Sequence, residues 1–273
     1  MTTAVDPKTA PPSVFPAHDG AVYEQAMGRW SRRLAPLLIE FGGLADGDRV
    51  LDVGCGTGSL SYALPEAANV AAVTGSTRPR CTSRMRAGAA LTRASFPARG
   101  CAGTAVCRWL VRPRLFDARL MFIPDVEHAV AEMRRVVRPG GRVAAAVWDT
   151  FGGMPNIRLL WDTAAVLDPA AERPRALFSS LTAPGDMSTM WRQVGLTEVE
   201  QTSLTIRMDY ADFDDYWRPL ESEGPIGLFL AGLSDEARAV LREHVRRGFV
   251  CNRPDGPRSF ATTAWACRGT VPS

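Results

Sequence analysis

The chain has 273 residues, 46% of them hydrophobic and 22% charged, with a formal charge of +3. That apolar share supports one large α/β domain with a real core, and it excludes a low-complexity or wholly disordered chain. No apolar run reaches the length of a membrane-spanning helix.

Residues 1–20, MTTAVDPKTAPPSVFPAHDG, are polar and proline-rich and lack the apolar core of a signal peptide, so they read as a disordered tail. The domain is expected over 21–273. Tyr23, Met27, Trp30, Leu34, Leu37, Leu38 and Phe41 recur at helical spacing, and Gly42 with Gly43 supplies the stop. Pro36 is expected to break this helix in two.

Val50 to Gly58 read VLDVGCGTG, a run of strand-forming residues that ends in an acid and then in alternating glycines. Glycine permits both a tight turn and a close approach of backbone amides to a ligand. LSYALPEA then supplies a helix. A dinucleotide fingerprint would space its glycines GxGxxG, whereas this chain has DxGxGxG.

The DxGxGxG spacing resembles motif I of class I S-adenosylmethionine-dependent methyltransferases. The resemblance implies a Rossmann-like, doubly wound seven-stranded sheet with an antiparallel last strand and a helical insertion. It also implies S-adenosyl-L-methionine as cofactor, with Asp52, Gly54, Cys55, Gly56, Thr57 and Gly58 as cofactor-binding positions. In the family the acid orders the loop, and the glycines pass under the ribose and methionine portion. The stretch from Tyr23 to Ser31, which contains MGRWSR, is similar to the helix that precedes motif I in one subfamily. Trp30 and Arg33 are therefore cofactor-site candidates, set against the commoner fates of core packing and a solvated face.

From Ala67 to Phe116 there is no Asp or Glu but there are nine arginines, with neither helical nor alternating periodicity. The chain's +3 less the block's +9 leaves −6 for the remainder, an ordinary acidic cytoplasmic enzyme. A basic loop and an arginine-rich nucleic-acid patch are two readings of the block. A third is translation out of frame over about 75–119. Arg99 to Arg112, RGCAGTAVCRWLVR, accepts codons that give GDARALPFADGSFD when the first base is dropped, which resembles the family's sequence after its third strand. Gly75 to Arg78 reread in another frame give VTGIDP, similar to the end of the second strand, where an acid holds ribose hydroxyls. Single-base losses near residues 75, 95 and 119 would account for both. On this reading the central part of the fold is disrupted, and the helix and strand within it are lost.

DVEHAVAEMRRVVRPGGRVAAAVWD resembles the family's next helix, RPGG turn and fifth strand. Its residues agree with that reading, because Asp125 can cap a helix whose Val126, Ala129, Val130, Met133 and Val137 share one face. The strand that follows is short and apolar throughout, as a buried parallel strand requires.

Farther on, NIRLLWDTAAVLD, MSTMWRQVGL, YADFDDYWRPL and SDEARAVLREHVRRGFV read as helices, so 151–195 and 208–255 are mainly helical cover. TEVEQTSLTIRMDY reads as a long strand, and PRSFATTAWACRGTV as a closing one. Phe151, Trp161, Trp191 and Trp217 are candidate walls of an acceptor pocket, with plain core the commoner fate of such residues.

Six cysteines lack zinc spacing, and His18, His128 and His244 read as surface residues, so no metal is expected. No catalytic residue is identified. Asp149 and Asp125 follow the fifth and fourth strands, but Asp125 is better explained as a helix cap. The expected activity is methyl transfer to a small-molecule acceptor without nucleic-acid or membrane partners. A catalytically dead remnant and an arginine-rich nucleic-acid binder stand as alternatives.

Overall fold

The computed structural model describes residues 20–77, 91–95, 113–117, 120, 123, 125–172, 181–222 and 224–273. The expected tail falls outside these residues except for Gly20, and so do His18 and most of the arginine-rich block. The fold is α/β. One sheet of seven strands runs in the order β3-β2-β1-β4-β5-β7-β6. Its strands are β1 (Arg49–Val53), β2 (Ala72–Thr77), β3 (Leu91–Ser95), β4 (Pro113–Asp117), β5 (Arg142–Trp148), β6 (Thr197–Tyr210) and β7 (Arg258–Thr270). The first five are parallel to one another, whereas β7 is antiparallel to both β5 and β6.

A short helix α1 (Gly20–Tyr23) passes through a π-helical turn, Glu24–Gly28, into α2 (Arg29–Gly42). The helix type changes at this turn, and the helix does not break at Pro36, which lies inside α2 with its side chain in solvent. A proline in an exposed position can stay in a helix whose other face is held by burial, and Trp30, Leu34, Leu38 and Ile39 hold this one. Gly43 ends α2 in a left-handed conformation, φ 67°.

Helices α3 (Ser59–Ala67), α4 (Val126–Val136), α5 (Pro155–Leu167), α6 (Asp186–Gln193), α7 (Phe213–Ser222), α8 (Gly224–Ala231) and α9 (Asp235–Val250), with a short 3-10 helix at Pro169–Ala171, complete the described elements. Asp125 caps α4 by accepting a bond from the His128 amide at 3.0 Å. Ala129, Val130, Met133 and Val137 are buried as the periodicity required. In β5 the run Val143–Trp148 is buried throughout. Its small residues let helices approach from both faces, which suits a strand in the middle of the sheet.

Three paired strands, β2, β3 and β4, cross the block expected to be disrupted. β3 corrects the expectation that the strand within the block is lost. Ladder bonds join backbone groups, so the pairing bonds themselves do not depend on side-chain identity. The rest of the block lies outside the described residues.

β6 decides the shape of the sheet's far end. Trp148, the last residue of β5, pairs with Ala264 of β7, which pairs in turn with Leu204 of β6. The two outer strands continue six residues further, to the pair Tyr210–Arg258. At about 3.4 Å per residue the arm extends roughly 20 Å past β5. Since β6 runs parallel to β5, the arm projects from the carboxyl edge of the sheet. Its inner face, Ile206, Met208 and Tyr210, is buried. Tyr210 meets Trp30 edge-on at 5.3 Å and Tyr216 at 5.4 Å. Tyr216 stacks on Phe249 at 5.2 Å.

Candidate functional site

The strand order reverses between β1 and β4, because the chain runs outward from β1 through β2 to β3 and then returns on β1's other side. In open α/β sheets such a reversal opens a crevice at the carboxyl ends of the strands. The loop leaving β1 there contains Gly54, Gly56 and Gly58 at φ 76°, 51° and 95°. All three occupy the left-handed region, where a side chain is strained. A Cβ on Gly58 would also lie 2.7 Å from the Tyr62 ring.

Asp52 precedes the loop and is 2% exposed. It accepts a 2.6 Å hydrogen bond from the Ser61 hydroxyl, itself fully buried on α3. The acid therefore ties the end of β1 to the first turns of the helix after the loop. Cys55 is a buried thiol within the turn. The Gly58 amide donates to the Cys55 carbonyl at 2.7 Å and closes it.

Thr57 is held from outside the loop, its hydroxyl donating to the Glu24 carboxylate. Arg32 pairs with the same carboxylate. Glu24 lies so close over Gly28 that a Cβ there would overlap it. The π-helical turn thus carries a carboxylate onto the glycine loop. The sequence pattern missed this link, since a Glu in the first turn of an amphipathic helix gives no sign of facing a distant loop. The same carboxylate lines a cleft of about 650 Å3, together with Arg29, Arg32, Asp212, Asp214 and Asp215. Arg29 closes one side by bonding both carboxylate oxygens of Asp215, at 2.8 and 3.1 Å.

Trp30 and Arg33, expected beside the cofactor, are turned towards β6 instead. Trp30 is 2% exposed and packs on Tyr210, with the Arg29 guanidinium 4.3 Å from the centre of a Trp30 ring. Arg33 pairs with Asp209 and donates to the Arg207 carbonyl, both at 2.5 Å. The reason is the long arm, which offers an apolar face and a carboxylate where this helix passes.

Among the four candidate pocket walls, Trp161, Trp191 and Trp217 are core residues. Phe151 is 63% exposed. Asp149 is occupied in shaping a turn, its Oδ1 accepting from the amides of Phe151 at 3.1 Å and Gly152 at 2.8 Å. His128 and His244 are exposed, and no group of residues fit to hold a metal occurs among the described residues. No helix of the described residues is long and apolar enough to cross a membrane.

With the sheet order and the loop established, comparison with solved structures is informative. A putative methyltransferase from Bacillus halodurans superimposes with a TM-score of 0.51 at 13% identity, over 88% of this chain and 99% of that one. A putative type II methyltransferase from Anaeromyxobacter dehalogenans gives 0.51 at 19% identity, over 91% and 96%. The chain has the class I methyltransferase fold. The same methyltransferase fold occurs in a phosphoethanolamine N-methyltransferase of Haemonchus contortus, solved with phosphomonomethylethanolamine and S-adenosylhomocysteine. There the TM-score is 0.54 at 16% identity, over 94% of this chain and 58% of the nematode protein. In sequence, an uncharacterized protein of Mycobacterium tuberculosis is 34% identical over 125 residues, which is 44% of this chain and 44% of the relative. The matched stretch thus spans less than half of that relative's length. No protein-family model matches the chain.

Proposed function

We propose that this protein is an S-adenosylmethionine-dependent methyltransferase acting on a small-molecule acceptor, built on a Rossmann-like, doubly wound sheet. The observation that carries the reading is the loop of three left-handed glycines after Asp52, placed where the strand order reverses. A backbone held in this form leaves amides and Cα atoms open to a ligand, with no side chain in the way. Gly54, Cys55, Gly56, Thr57 and Gly58 would line the cofactor. Asp52 would fix the loop through Ser61, and Glu24 would hold Thr57 from above. Trp30 and Arg33 serve the site indirectly, by fastening the leading helix to the arm.

The cofactor, when bound, supplies a methyl group on a positively charged sulfur. The protein's own share is to orient the acceptor and exclude water, which is the larger part of catalysis in such a transfer.

The site is complete on one side only. Position 77 ends β2, level with the start of the glycine loop because Ser76 is in register with Val53. A ribose-binding acid belongs at such a position, and this chain has Thr77. The alternative frame over Gly75 to Arg78 writes an Asp there. We therefore attribute the block at about 75–119 to lost bases, and the chain as written to an impaired form of the enzyme.

Nucleotide sequence across codons 70–122 tests the lesion, and VTGIDP and GDARALPFADGSFD are the expected readings in the shifted frames. Stop codons or unrelated sense there would remove it. Calorimetry with S-adenosylmethionine on the frame-repaired protein tests the function. Gly56→Val, at φ 51°, is expected to abolish binding while circular dichroism reports an intact fold. Normal affinity in that variant would dismiss the loop as the cofactor site.

A further inference from the structure

Among the described residues most aromatic side chains are buried or partly buried. Among the described residues the exposed large apolar side chains are Tyr62, Phe151, Val166, Leu167, Leu228 and Val240, and two of them are aromatic. The four aliphatic ones lie on the covering helices α5, α8 and α9. Tyr62 lies on α3, just after the glycine loop, and Phe151 lies in the turn that leaves the carboxyl end of β5. Tyr62, with its ring against Gly58, is part of the glycine loop's own packing. Phe151 remains to be explained.

A single exposed apolar residue is ordinary, but the turn that carries Phe151 is built to hold it. Asp149 Oδ1 accepts from the Phe151 and Gly152 amides. The Gly153 amide donates to the Asp149 carbonyl at 3.0 Å. β7 clamps the turn from the other side, since the Asp149 amide donates to the Thr263 carbonyl at 3.1 Å and the Thr263 amide to the Gly153 carbonyl at 2.7 Å. Glycine is required at the clamp, because a Cβ at Gly153 would lie 2.8 Å from the Cβ atoms of Asp149 and Thr263. A 63% exposed ring on so fixed a turn has already lost the backbone freedom that binding would otherwise remove.

The position suits contact with an acceptor. β5 lies two strands from β1, roughly 10 Å away at about 4.8 Å per strand. It also runs three residues beyond Ala145, which is level with the end of β1 through Asp117. Phe151 therefore stands to one side of the glycine loop and above it.

We propose that Phe151 is a specificity-determining residue that stacks on the acceptor, and that the acceptor has a flat apolar face. This rests on the methyltransferase reading for calling the bound molecule an acceptor. An aromatic ring selects flat partners because offset-stacked and edge-to-face contacts add to the gain from simple burial. The turn holds the backbone that carries Phe151, so binding a flat molecule there orders a side chain and not a loop.

The test is calorimetric titration of the full chain with 2-naphthol and with its non-planar counterpart decahydro-2-naphthol. Wild type is expected to prefer the flat probe. Phe151→Ser is expected to weaken the flat probe's binding roughly tenfold, with an unchanged melting temperature because the ring is exposed. Phe151→Trp is expected to retain the binding. Equal affinity in wild type and Phe151→Ser, equal affinity for the two probes, or no binding of 2-naphthol by wild type would each overturn the proposal. S-adenosylhomocysteine titrated into the frame-repaired protein keeps the two readings apart. If it does not bind while 2-naphthol binding depends on Phe151, the methyltransferase reading fails and the aromatic contact stands. If it binds while 2-naphthol binding ignores Phe151, the inference about the acceptor fails alone.

Discussion

The arm formed by β6 and β7 and the strands β2, β3 and β4 belong to one sheet, yet they are made differently. In the arm, side chains and backbone agree, since every second residue from Ile206 to Tyr210 is buried, and Tyr210 meets aromatic rings from three helices. β2, β4 and the edge strand β3 are paired by parallel backbone ladders, in a stretch without a single acid between Ala67 and Phe116. Ladder bonds use backbone groups that every non-proline residue carries, whereas a binding site needs a particular functional group at a particular place. A shifted reading frame can therefore leave a sheet in outline while removing the residues that hold a ligand.

Repairing the frame should show the largest effect. Restoring a carboxylate that bonds both ribose hydroxyls adds two charge-assisted hydrogen bonds, at about 1.5–3 kcal/mol each. Affinity for S-adenosylmethionine is then expected to rise by roughly a hundredfold or more. Equal affinities by calorimetry would mean that the arginine-rich block works as it stands, and the contrast between the regions would collapse.

The arm's side of the contrast can be attacked in its aromatic cluster. Trp217 is 1% exposed and stacks on Phe213 at 5.8 Å. Trp217→Ala should cost about 3–5 kcal/mol in denaturant unfolding. A cost near zero would show that the cluster is not what holds the arm.

A smaller effect is expected beside the glycine loop. Ser61→Ala deprives the buried Asp52 carboxylate of one donor and should destabilise the fold by roughly 1–3 kcal/mol. Thermal melts at neutral pH measure it, and an unchanged melt would exclude the strut role of this pair.

The mildest test is alkaline. Burial pushes the Tyr210 hydroxyl up to about 12 and the Cys267 thiol to about 12, and it raises Tyr216 well above the ordinary tyrosine value. All three stay protonated in the fold at pH values where the unfolded chain has released its protons. Their contribution is fully present below the unfolded values, about 9 for the thiol and 10 for the phenols, and is lost as pH rises towards 12. Tyr210→Phe should flatten the fall in melting temperature above pH 10. An identical slope in the variant would mean that Tyr210 ionises as it would in water.

Much of the architecture was legible from periodicity. The alternation in TEVEQTSLTIRMDY places β6 at the residues it occupies, because one face is buried and a slip of one residue would reverse every side chain. Asp125 was legible as a cap because its role is local. Pro36 misled because its effect on α2 depends on what holds the helix's other face. Trp30 and Arg33 misled for a related reason, as their partners Tyr210 and Asp209 lie more than 170 residues away and no local pattern foretells such a meeting.

What the sequence determined alone is local and periodic: the glycine loop with its acid, the amphipathic helices, the alternating strands and the acid-free block. Tertiary structure decided which of these meet. It brought Glu24 onto Thr57, turned Trp30 away to the arm, buried three of the four candidate pocket aromatics and left Phe151 in solvent. Periodicity sorts residues into those that seek burial and those that do not, but the partner that covers a given face is set only when distant segments pack together.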